Sequence, residues 1–563
     1  MKQEKTLSRK NLQFPKIQLL TASLLIFSFV LTSCESSSQN TEVAQTDSVS
    51  RQSAPISSSN ISTTANTSAN MGTTGMMAKE SLDFDESAKG EKYAEIDENP
   101  FLETARAPLS TFSIDVDTAS YSNVRRFLSE GQLPQKNAVR IEELVNYFEY
   151  DYPQPVGNVP FSVTTEAAAC PWNPKHRLVL VGLQGRRVSL DNVPPSNLVF
   201  LLDVSGSMNS PDKLPLLKSS LRMLVNQLSN KDRVAIVVYA GSSGLVLPST
   251  SADRKSEILS ALNNLEAGGS TNGGQGIQLA YKIAQENFIP NGNNRVILAT
   301  DGDFNVGVTS DSELVRMIET KRQSGIFLSV LGFGTGNLND SMMEKLADKG
   351  NGNYAYIDTL EEARKALGNQ VAGTLYTIAK DVKIQVEFNP AQAAGYRLIG
   401  YENRLLANRD FNDDRKDAGE IGAGISVTAL YEVVPAGQKI ENPGVDRLKY
   451  SENPQPYSGS SELMTVKLRY KEPNENESRL LSIGLTDRGN NFEAASENLR
   501  FAASVAGFGL LLRNSRYKGS ASYNGILNIA QNSLGQDLKG YRSEFARIVG
   551  QAKNLSARQA RLD

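Results

Sequence analysis

The chain has 563 residues, enough for several domains, and 39% of them are hydrophobic and 21% charged, as in an ordinary soluble protein with a sizeable core. The formal net charge of −3 gives no reason to expect nucleic acid as a partner. One histidine and two cysteines leave little material for a zinc site or a Ser-His-Asp triad.

The N-terminus has the pattern of a secretory signal, which we place at residues 1–33. Lysines and an arginine precede an apolar run from Leu19 to Leu31, which is too short for a comfortable transmembrane helix. The run closes in Leu-Thr-Ser-Cys at Cys34, which resembles the bacterial lipobox and implies cleavage before Cys34 and lipid on its sulfur. We therefore expect a lipid-anchored protein of the bacterial cell envelope, periplasmic or surface-exposed. An ordinary secretory signal with an incidental cysteine is the alternative.

Residues 34–105 are rich in Ser, Thr, Asn and Gln. Such a composition cannot bury enough apolar surface to order itself, so it predicts a flexible tether between the anchor and the folded part. Apolar residues return between Tyr93 and Leu102, and a partly ordered segment is the alternative there.

Folded structure is predicted to begin with an N-terminal segment at residues 106–159. Apolar and polar residues alternate from Leu109 to Asp117, as in a strand, and two amphipathic helices follow. We interpret Asp115 and Asp117 as the solvated face of an edge strand, with a second metal site as the alternative.

An apolar run from Leu198 to Leu202 stops at the carboxylate of Asp203 and is followed by Ser205 and Ser207. A continuous apolar run predicts a strand buried on both faces of a parallel sheet. Side chains that follow such a strand gather at its carboxyl end, where open α/β sheets place ligands. Carboxylate and hydroxyl oxygens suit a hard cation such as Mg²⁺.

Two later stretches extend this pattern. A glycine loop at 268–274 carries the hydroxyl of Thr271, and a second apolar strand, which starts at Arg295, ends in Thr-Asp-Gly around Asp301. Asp-x-Ser-x-Ser, then Gly-Gly-x-Thr, then strand-Thr-Asp-Gly, in this order, resembles the von Willebrand factor type A (VWA) domain and its metal-ion-dependent adhesion site. The alternative is a buried strand with two helix-capping serines and an unrelated turn.

The resemblance implies a site for Mg²⁺, or for another divalent cation such as Mn²⁺ or Ca²⁺. It implies that Ser205, Ser207 and Thr271 ligate the ion through their hydroxyls. It also implies that Asp203 and Asp301 act directly or through water. Hydroxyl ligands leave charge on the ion uncompensated, which favours an external carboxylate. We therefore expect a protein partner that presents a Glu or Asp to the metal.

Strands alternate with helices over residues 196–379, which predicts an α/β fold with a doubly wound parallel sheet. β patterns occupy residues 160–195 and 380–490, and we expect them to form one β-sandwich in which the VWA domain is inserted or which flanks it. Residues 491–563 are predicted to form C-terminal helices. The stretches STFSIDVDTASYSNVRRFLSEGQLP and RDFNDDRKDAGEIGAG resemble the segments before and after the type A domain in one family of bacterial VWA proteins.

Two single residues of types that often carry chemistry are predicted to be structural. Cys170 is the only cysteine besides Cys34, so we expect a small buried apolar side chain rather than a disulfide. The lone histidine, His176, is interpreted as a surface or packing residue rather than a catalytic one.

The sequence predicts a binding module rather than an enzyme. It supplies no nucleophile with a neighbouring base and no phosphate-binding Gly-x-x-x-x-Gly-Lys. A metal-dependent hydrolase is one alternative, but it needs a general base near an activated water, and Asp303 is the only further carboxylate placed for this role. A purely structural component of the envelope is the other alternative.

Overall fold

The structure is a computed structural model, and it describes residues 90–189, 193–270, 273–302, 311–336, 338–440, 459–473 and 475–561. All of them belong to one unit, Phe84–Asp563. The predicted signal, Cys34 and most of the predicted tether lie outside the described residues, as does Thr271.

The strands of the described part are numbered in chain order. They are β1 Leu102–Glu103, β2 Leu109–Ser113, β3 Phe161–Cys170, β4 Asn173–Gly185, β5 Ser196–Asp203, β6 Arg233–Tyr239, β7 Ser243–Ser251, β8 Asn293–Thr300, β9 Ile326–Phe333, β10 Tyr354–Ile357, β11 Thr377–Phe388, β12 Ala393–Ile399, β13 Gly419–Gly422, β14 Ser426–Pro435, β15 Met464–Lys471 and β16 Arg479–Leu485.

The α-helices are numbered in the same way. They are α1 Ala119–Ser129, α2 Ile141–Asn146, α3 Leu214–Gln227, α4 Lys255–Asn263, α5 Gly273–Glu286, α6 Asp311–Arg322, α7 Asp340–Lys349, α8 Leu360–Arg364, α9 Val371–Leu375, α10 Glu497–Leu512, α11 Tyr523–Gln531 and α12 Tyr541–Gln559.

Strand β5 lies at the centre of a six-stranded sheet with the order β10-β9-β8-β5-β6-β7, which is parallel except for β7. Every residue of β5 is buried, as its apolar run predicts. Because successive side chains of a strand point to opposite faces, Leu202 joins the apolar core with α3 and α4, while Leu201 joins the core with α5 and α7. The predicted doubly wound α/β fold is therefore confirmed.

The strands on the two sides of the VWA segment form one β-sandwich, as predicted. In its first sheet, with the order β1-β12-β14-β4-β3, strand β4 pairs antiparallel with β14, and Gly182 lies opposite Thr428. The second sheet has the order β13-β11-β15-β16, and β2 adds to β11. Apolar side chains of both sheets share one core. The VWA segment is thus an insertion between β4 and β11.

The C-terminal helices cover the outer face of the first sheet. Helices α10 and α12 share an apolar core with α1, α2 and side chains of that sheet such as Leu178 and Leu430. Helix α10 is buried along most of its length, as its apolar sequence predicts. Within the described ranges, no helix combines the length and the apolar character that crossing a membrane requires.

Residues 90–105, the last part of the predicted tether, are attached to the folded unit, in agreement with the partly ordered segment considered as the alternative between Tyr93 and Leu102. Glu91 accepts a hydrogen bond of 2.8 Å from Arg126, and Asn99 donates one of 2.8 Å to the carbonyl of Gly400. Strand β1 in this stretch also pairs with β12. Ion pairs, backbone pairing and the buried ring of Phe101 hold the stretch, and its apolar residues were the sign of order in the sequence.

The two single residues are structural, as predicted. Cys170 is a buried free thiol, and burial raises its pKa well above the ordinary value. His176 Nδ1 lies 2.6 Å from Glu432 Oε1, and the imidazole packs edge-on against Phe101. This packing role of His176 confirms one of the two roles expected for it.

Candidate metal centre

The site forms where the two central strands end side by side. Strands β5 and β8 are parallel neighbours, with Leu202 opposite Ala299, so Asp203 and Asp301 emerge at the same carboxyl edge of the sheet. Both carboxylates are fully buried. The apolar strands that precede them fix this placement, since each strand must keep both faces in the core.

The first loop of the site is ordered by hydrogen bonds to Asp203. Its Oδ1 accepts a bond of 2.9 Å from the backbone N–H of Ser205, and its Oδ2 accepts one of 3.3 Å from the hydroxyl of Thr300. The hydroxyls of Ser205 and Ser207 are 3.0 Å apart. Burial raises the pKa of Asp203 to about 6, against the hydrogen bonds from Ser205 that lower it. Three predicted ligands thus lie together, with Thr300 as a support that the sequence reasoning missed.

The glycine loop is joined to this first loop by backbone hydrogen bonds. The N–H of Gly206 donates to the carbonyl of Gly269 at 3.0 Å, and the N–H of Gly268 donates to the carbonyl of Val204 at 2.7 Å. Gly269 has a φ of +84°, a conformation that side chains disfavour. These bonds carry the chain that leads to Thr271 up to the site, although Thr271 itself lies outside the described residues.

A lysine that the sequence reasoning missed reaches into the site. Lys213, the residue just before α3, donates a hydrogen bond of 2.8 Å from its Nζ to Asp301 Oδ2. Its side chain is 9% exposed. In the sequence, Lys213 looks like a solvated residue, since it lies in a polar turn before a helix. Its role becomes visible only in the structure, where Asp301 lies next to it.

The donor set of the described residues fits a divalent cation. Two carboxylates and two hydroxyls converge on one edge, and all of them are hard oxygen donors of the kind that Mg²⁺ and Ca²⁺ prefer. Ser205 is buried whereas Ser207 is exposed, so the site opens to solvent on the Ser207 side. Asp303, the carboxylate considered for a hydrolase, lies outside the described residues.

A second acidic cluster lies between α2, α7 and the end of β2, and we call it the buried acidic network. Oxygens of Asp115, Glu143 and Glu344 lie within 4.8 Å of one another. Two guanidinium groups already hold them: Arg140 pairs with Glu143, and Arg404 lies 3.1 Å from Asp115 and 3.4 Å from Glu344. Guanidinium groups of the protein contact each of these three carboxylates, so we assign the network a structural role.

The buried acidic network corrects the interpretation of Asp115 and Asp117. Both are buried rather than solvated, and Arg404 also lies 3.3 Å from Asp117. The alternation predicted a strand from Leu109 to Asp117, but β2 ends at Ser113, so Asp115 and Asp117 lie beyond the strand and are covered by residues from distant parts of the chain.

The fold and the grouped ligands define the class of protein. Residues 197–370 match the family profile of the von Willebrand factor type A domain, and residues 87–180 match a profile described as von Willebrand factor. VWA domains commonly bind a divalent metal at a site of this kind, and they mediate protein–protein interactions.

The matches outside the VWA segment define the family more closely. Residues 373–555 match the profile described as uncharacterized protein YfbK, C-terminal. The chain is 46% identical over 474 residues to uncharacterized protein YfbK of Escherichia coli (strain K12), a match that covers 83% of this chain and 81% of that protein. The chain therefore belongs to the YfbK family.

More distant similarities cover smaller parts of the chain or have lower identity. Inter-alpha-trypsin inhibitor heavy chain H4 of Homo sapiens is 30% identical over 161 residues, which are 27% of this chain and 17% of that protein. The solved structure of BatB from Bacteroides thetaiotaomicron is 25% identical and covers 31% of this chain and 97% of its own, with a TM-score of 0.27. A von Willebrand factor type A structure from Catenulispora acidiphila is 16% identical and covers 69% of this chain and 89% of its own, with a TM-score of 0.39.

Proposed function

We propose that this chain is a lipid-anchored protein of the bacterial cell envelope whose VWA domain binds a protein partner through Mg²⁺. The observation that carries the proposal is the convergence of Asp203, Ser205, Ser207 and Asp301 at one sheet edge that opens to solvent beside Ser207. Together with Thr271, these are the residues of the metal-ion-dependent adhesion site.

The chemistry of the ligands favours an acidic partner. Hydroxyls coordinate a cation without neutralising it, so Asp203 and Asp301 supply the protein's own negative charges at the ion, and the ammonium of Lys213 offsets one of them. An ion held in this way attracts a further hard anionic ligand, and a Glu or Asp of a partner supplies one. When bound, the ion would link the two proteins through that carboxylate.

We propose binding rather than catalysis for this site. A metal-dependent hydrolase would need a general base near an activated water. The only histidine of the chain pairs with Glu432 on the helix-covered face of the first sandwich sheet, where it cannot serve the VWA site. A purely structural role is the other alternative, and the opening of the site beside the exposed Ser207 favours binding over it.

The replacement Asp203→Ala tests the metal-dependent capture of a partner. We expect the full-length chain to retain envelope proteins on a capture resin with Mg²⁺ and to lose them with EDTA, and we expect Asp203→Ala to lose them in both conditions. Asp253→Ala is the matched control, because Asp253 is exposed and follows β7 at the opposite edge of the sheet. Full capture of the partner by Asp203→Ala in the presence of EDTA would leave the proposal without support.

The lipid anchor is tested separately by Cys34→Ser. We expect the variant to leave the membrane fraction, because the only attachment proposed for the chain is lipid on that sulfur. Wild-type chain and Cys170→Ser, which removes the buried thiol instead, should stay with the membranes after a salt wash. Retention of Cys34→Ser on the washed membranes would contradict the anchor.

A further inference from the structure

Lys213 is held against one of the proposed metal ligands by the surrounding chain. Its Nζ lies 2.8 Å from Asp301 Oδ2, and its carbon stem runs along Gly334 at the end of β9. Gly334 has a φ of +69°, and a Cβ there would collide with the Lys213 stem. The missing side chain at Gly334 therefore leaves the space that the Lys213 stem occupies on its way to the site.

The ammonium places a positive charge where the proposed metal would bring two more. Asp203, Asp301 and the Lys213 side chain are all buried or nearly so, and buried charges interact more strongly than exposed ones. Without a metal, Lys213 compensates one of the two carboxylates. With a divalent cation present, the two carboxylates no longer balance the cation and the lysine, and one positive charge is left over.

We infer that Lys213 is a built-in competitor of the metal, which keeps the affinity for the free ion low and makes tight metal binding depend on the carboxylate of the partner. The inference rests on the proposed function, because it concerns the same site. An external carboxylate cancels the one remaining positive charge, so the ion and the partner stabilise each other. Tight binding of the metal therefore requires the carboxylate of the partner.

The first test measures the affinity for Mg²⁺ alone, by calorimetric titration of the full-length chain in detergent. Lys213→Met keeps the stem and removes the charge, so we expect Mg²⁺ to bind at least about tenfold more tightly than to wild type. Lys213→Arg keeps the charge and should stay within about threefold of wild type. Lys282→Met controls for net charge, since that lysine is 69% exposed on α5, and it should change nothing.

The second test measures the coupling between ion and carboxylate, with acetate as the probe and chloride at equal ionic strength as its control. Acetate should tighten Mg²⁺ binding to wild type and to Lys213→Arg. It should have little effect on Lys213→Met, in which the protein's own carboxylates already balance the ion. Circular dichroism of each variant confirms that the fold is retained, and Lys213→Gln, which also removes the charge, takes the place of Lys213→Met if the latter does not fold.

The outcomes separate this inference from the proposed function. Equal Mg²⁺ affinity in wild type and Lys213→Met, with Asp203→Ala failing to bind, would overturn the role of Lys213 and leave the metal site intact. Failure of both wild type and Lys213→Met to bind Mg²⁺ would overturn the metal site and the inference together. An acetate effect of the same size in Lys213→Met and wild type would also overturn the inference.

Discussion

The edge of the VWA sheet that carries Asp203 and Asp301, which we call the metal edge, and the buried acidic network are both clusters of buried carboxylates. We nevertheless assign them different roles, ligand binding and stabilisation of the fold. At the metal edge, two carboxylates face one lysine, and the site opens to solvent beside Ser207. In the network, Arg140 and Arg404 supply fixed guanidinium groups that pair with several carboxylates at once. Arginine suits this role because its planar fork bonds two acids together.

The difference teaches how to distinguish a binding site from a structural one. The network joins the end of β2, helix α2, helix α7 and the turn around Arg404, so its ion pairs connect the N-terminal segment, the VWA domain and the sandwich. The metal edge joins loops at the end of one sheet, and among the described residues its cation is the nearly buried Lys213. A buried cluster in which guanidinium groups contact the carboxylates from several elements stabilises the fold, whereas a cluster that opens to solvent at a sheet edge is accessible to a ligand.

Removal of an arginine from the network should have the largest effect on stability. Arg140→Met leaves Glu143 and Asp340 as buried carboxylates without their ion pair, and breaking a buried pair in this way costs about 3–5 kcal/mol of unfolding free energy. Urea unfolding followed by circular dichroism measures the loss. Arg409→Met, at a side chain that is 91% exposed, is the control and should stay within about 0.5 kcal/mol of wild type. A similar loss in both variants would contradict a structural role specific to the network.

The stability of the folded state should also fall at alkaline pH because of two buried glutamates of α2, Glu143 in the network and its neighbour Glu142. Burial raises the pKa of Glu143 to about 8 and that of Glu142 to about 7, from an ordinary value of 4.5. A carboxyl with a raised pKa in the folded state favours folding fully below pH 4.5, and this contribution is lost as the pH rises through 7 and 8. We expect the unfolding free energy to fall by about 2 kcal/mol between about pH 6 and about pH 9, as measured by urea unfolding at each pH.

The variant Glu143→Gln identifies the source of this pH dependence. Glutamine imitates the protonated acid, so the unfolding free energy of the variant should change less with pH than that of wild type. Glu361→Gln, at an exposed side chain on α8, is the control and should keep the wild-type slope. A wild-type slope in Glu143→Gln would show that other groups cause the dependence.

Loss of a charge at the metal edge should raise the unfolding free energy, whereas loss of a charge in the network lowers it. Asp203→Asn keeps an oxygen that can accept the hydrogen bond from Ser205 and removes one of two neighbouring buried carboxylates. In EDTA at neutral pH, we expect the unfolding free energy to rise by about 1 kcal/mol, because the repulsion from Asp301 is relieved. Added Mg²⁺ should stabilise wild type but not the variant. A clear loss of stability in EDTA would mean that Asp203 holds the fold rather than a ligand.

The sequence predicted those parts of the molecule that follow from local patterns. The apolar run of β5 and the second run of β8 fixed the sheet edge, because such strands must be buried on both faces. The two carboxylates and two hydroxyls follow these strands within a few residues, so their grouping was predictable. The sandwich was also predictable, since strands occur on both sides of the VWA segment and neither group could complete a sandwich alone.

The parts that the sequence did not predict depend on contacts between distant residues. Lys213 reaches Asp301 across 88 positions, and Arg404 reaches Asp115 across 289. Alternation predicted a strand from Leu109 to Asp117, but β2 ends at Ser113, and the pattern could not predict which residues would cover Asp115 and Asp117. Residues 90–105 were predicted as tether, with partial order as the alternative, because their partners lie far along the chain in the N-terminal segment, the VWA domain and the sandwich.

The smallest effect is expected at the hydroxyl from the glycine loop. Thr271→Ala removes one neutral ligand, and water can take its place, so Mg²⁺ affinity and partner capture should fall by about threefold and far less than in Asp203→Ala. Calorimetric titration with Mg²⁺ measures the difference, and Thr320→Ala, which alters an exposed hydroxyl on α6, is the control. The ranking matters because a neutral ligand shapes the site whereas a carboxylate supplies its charge. A loss in Thr271→Ala as large as that in Asp203→Ala would mean that geometry, rather than charge, limits metal binding, and the comparison with the buried acidic network would then lose its electrostatic basis.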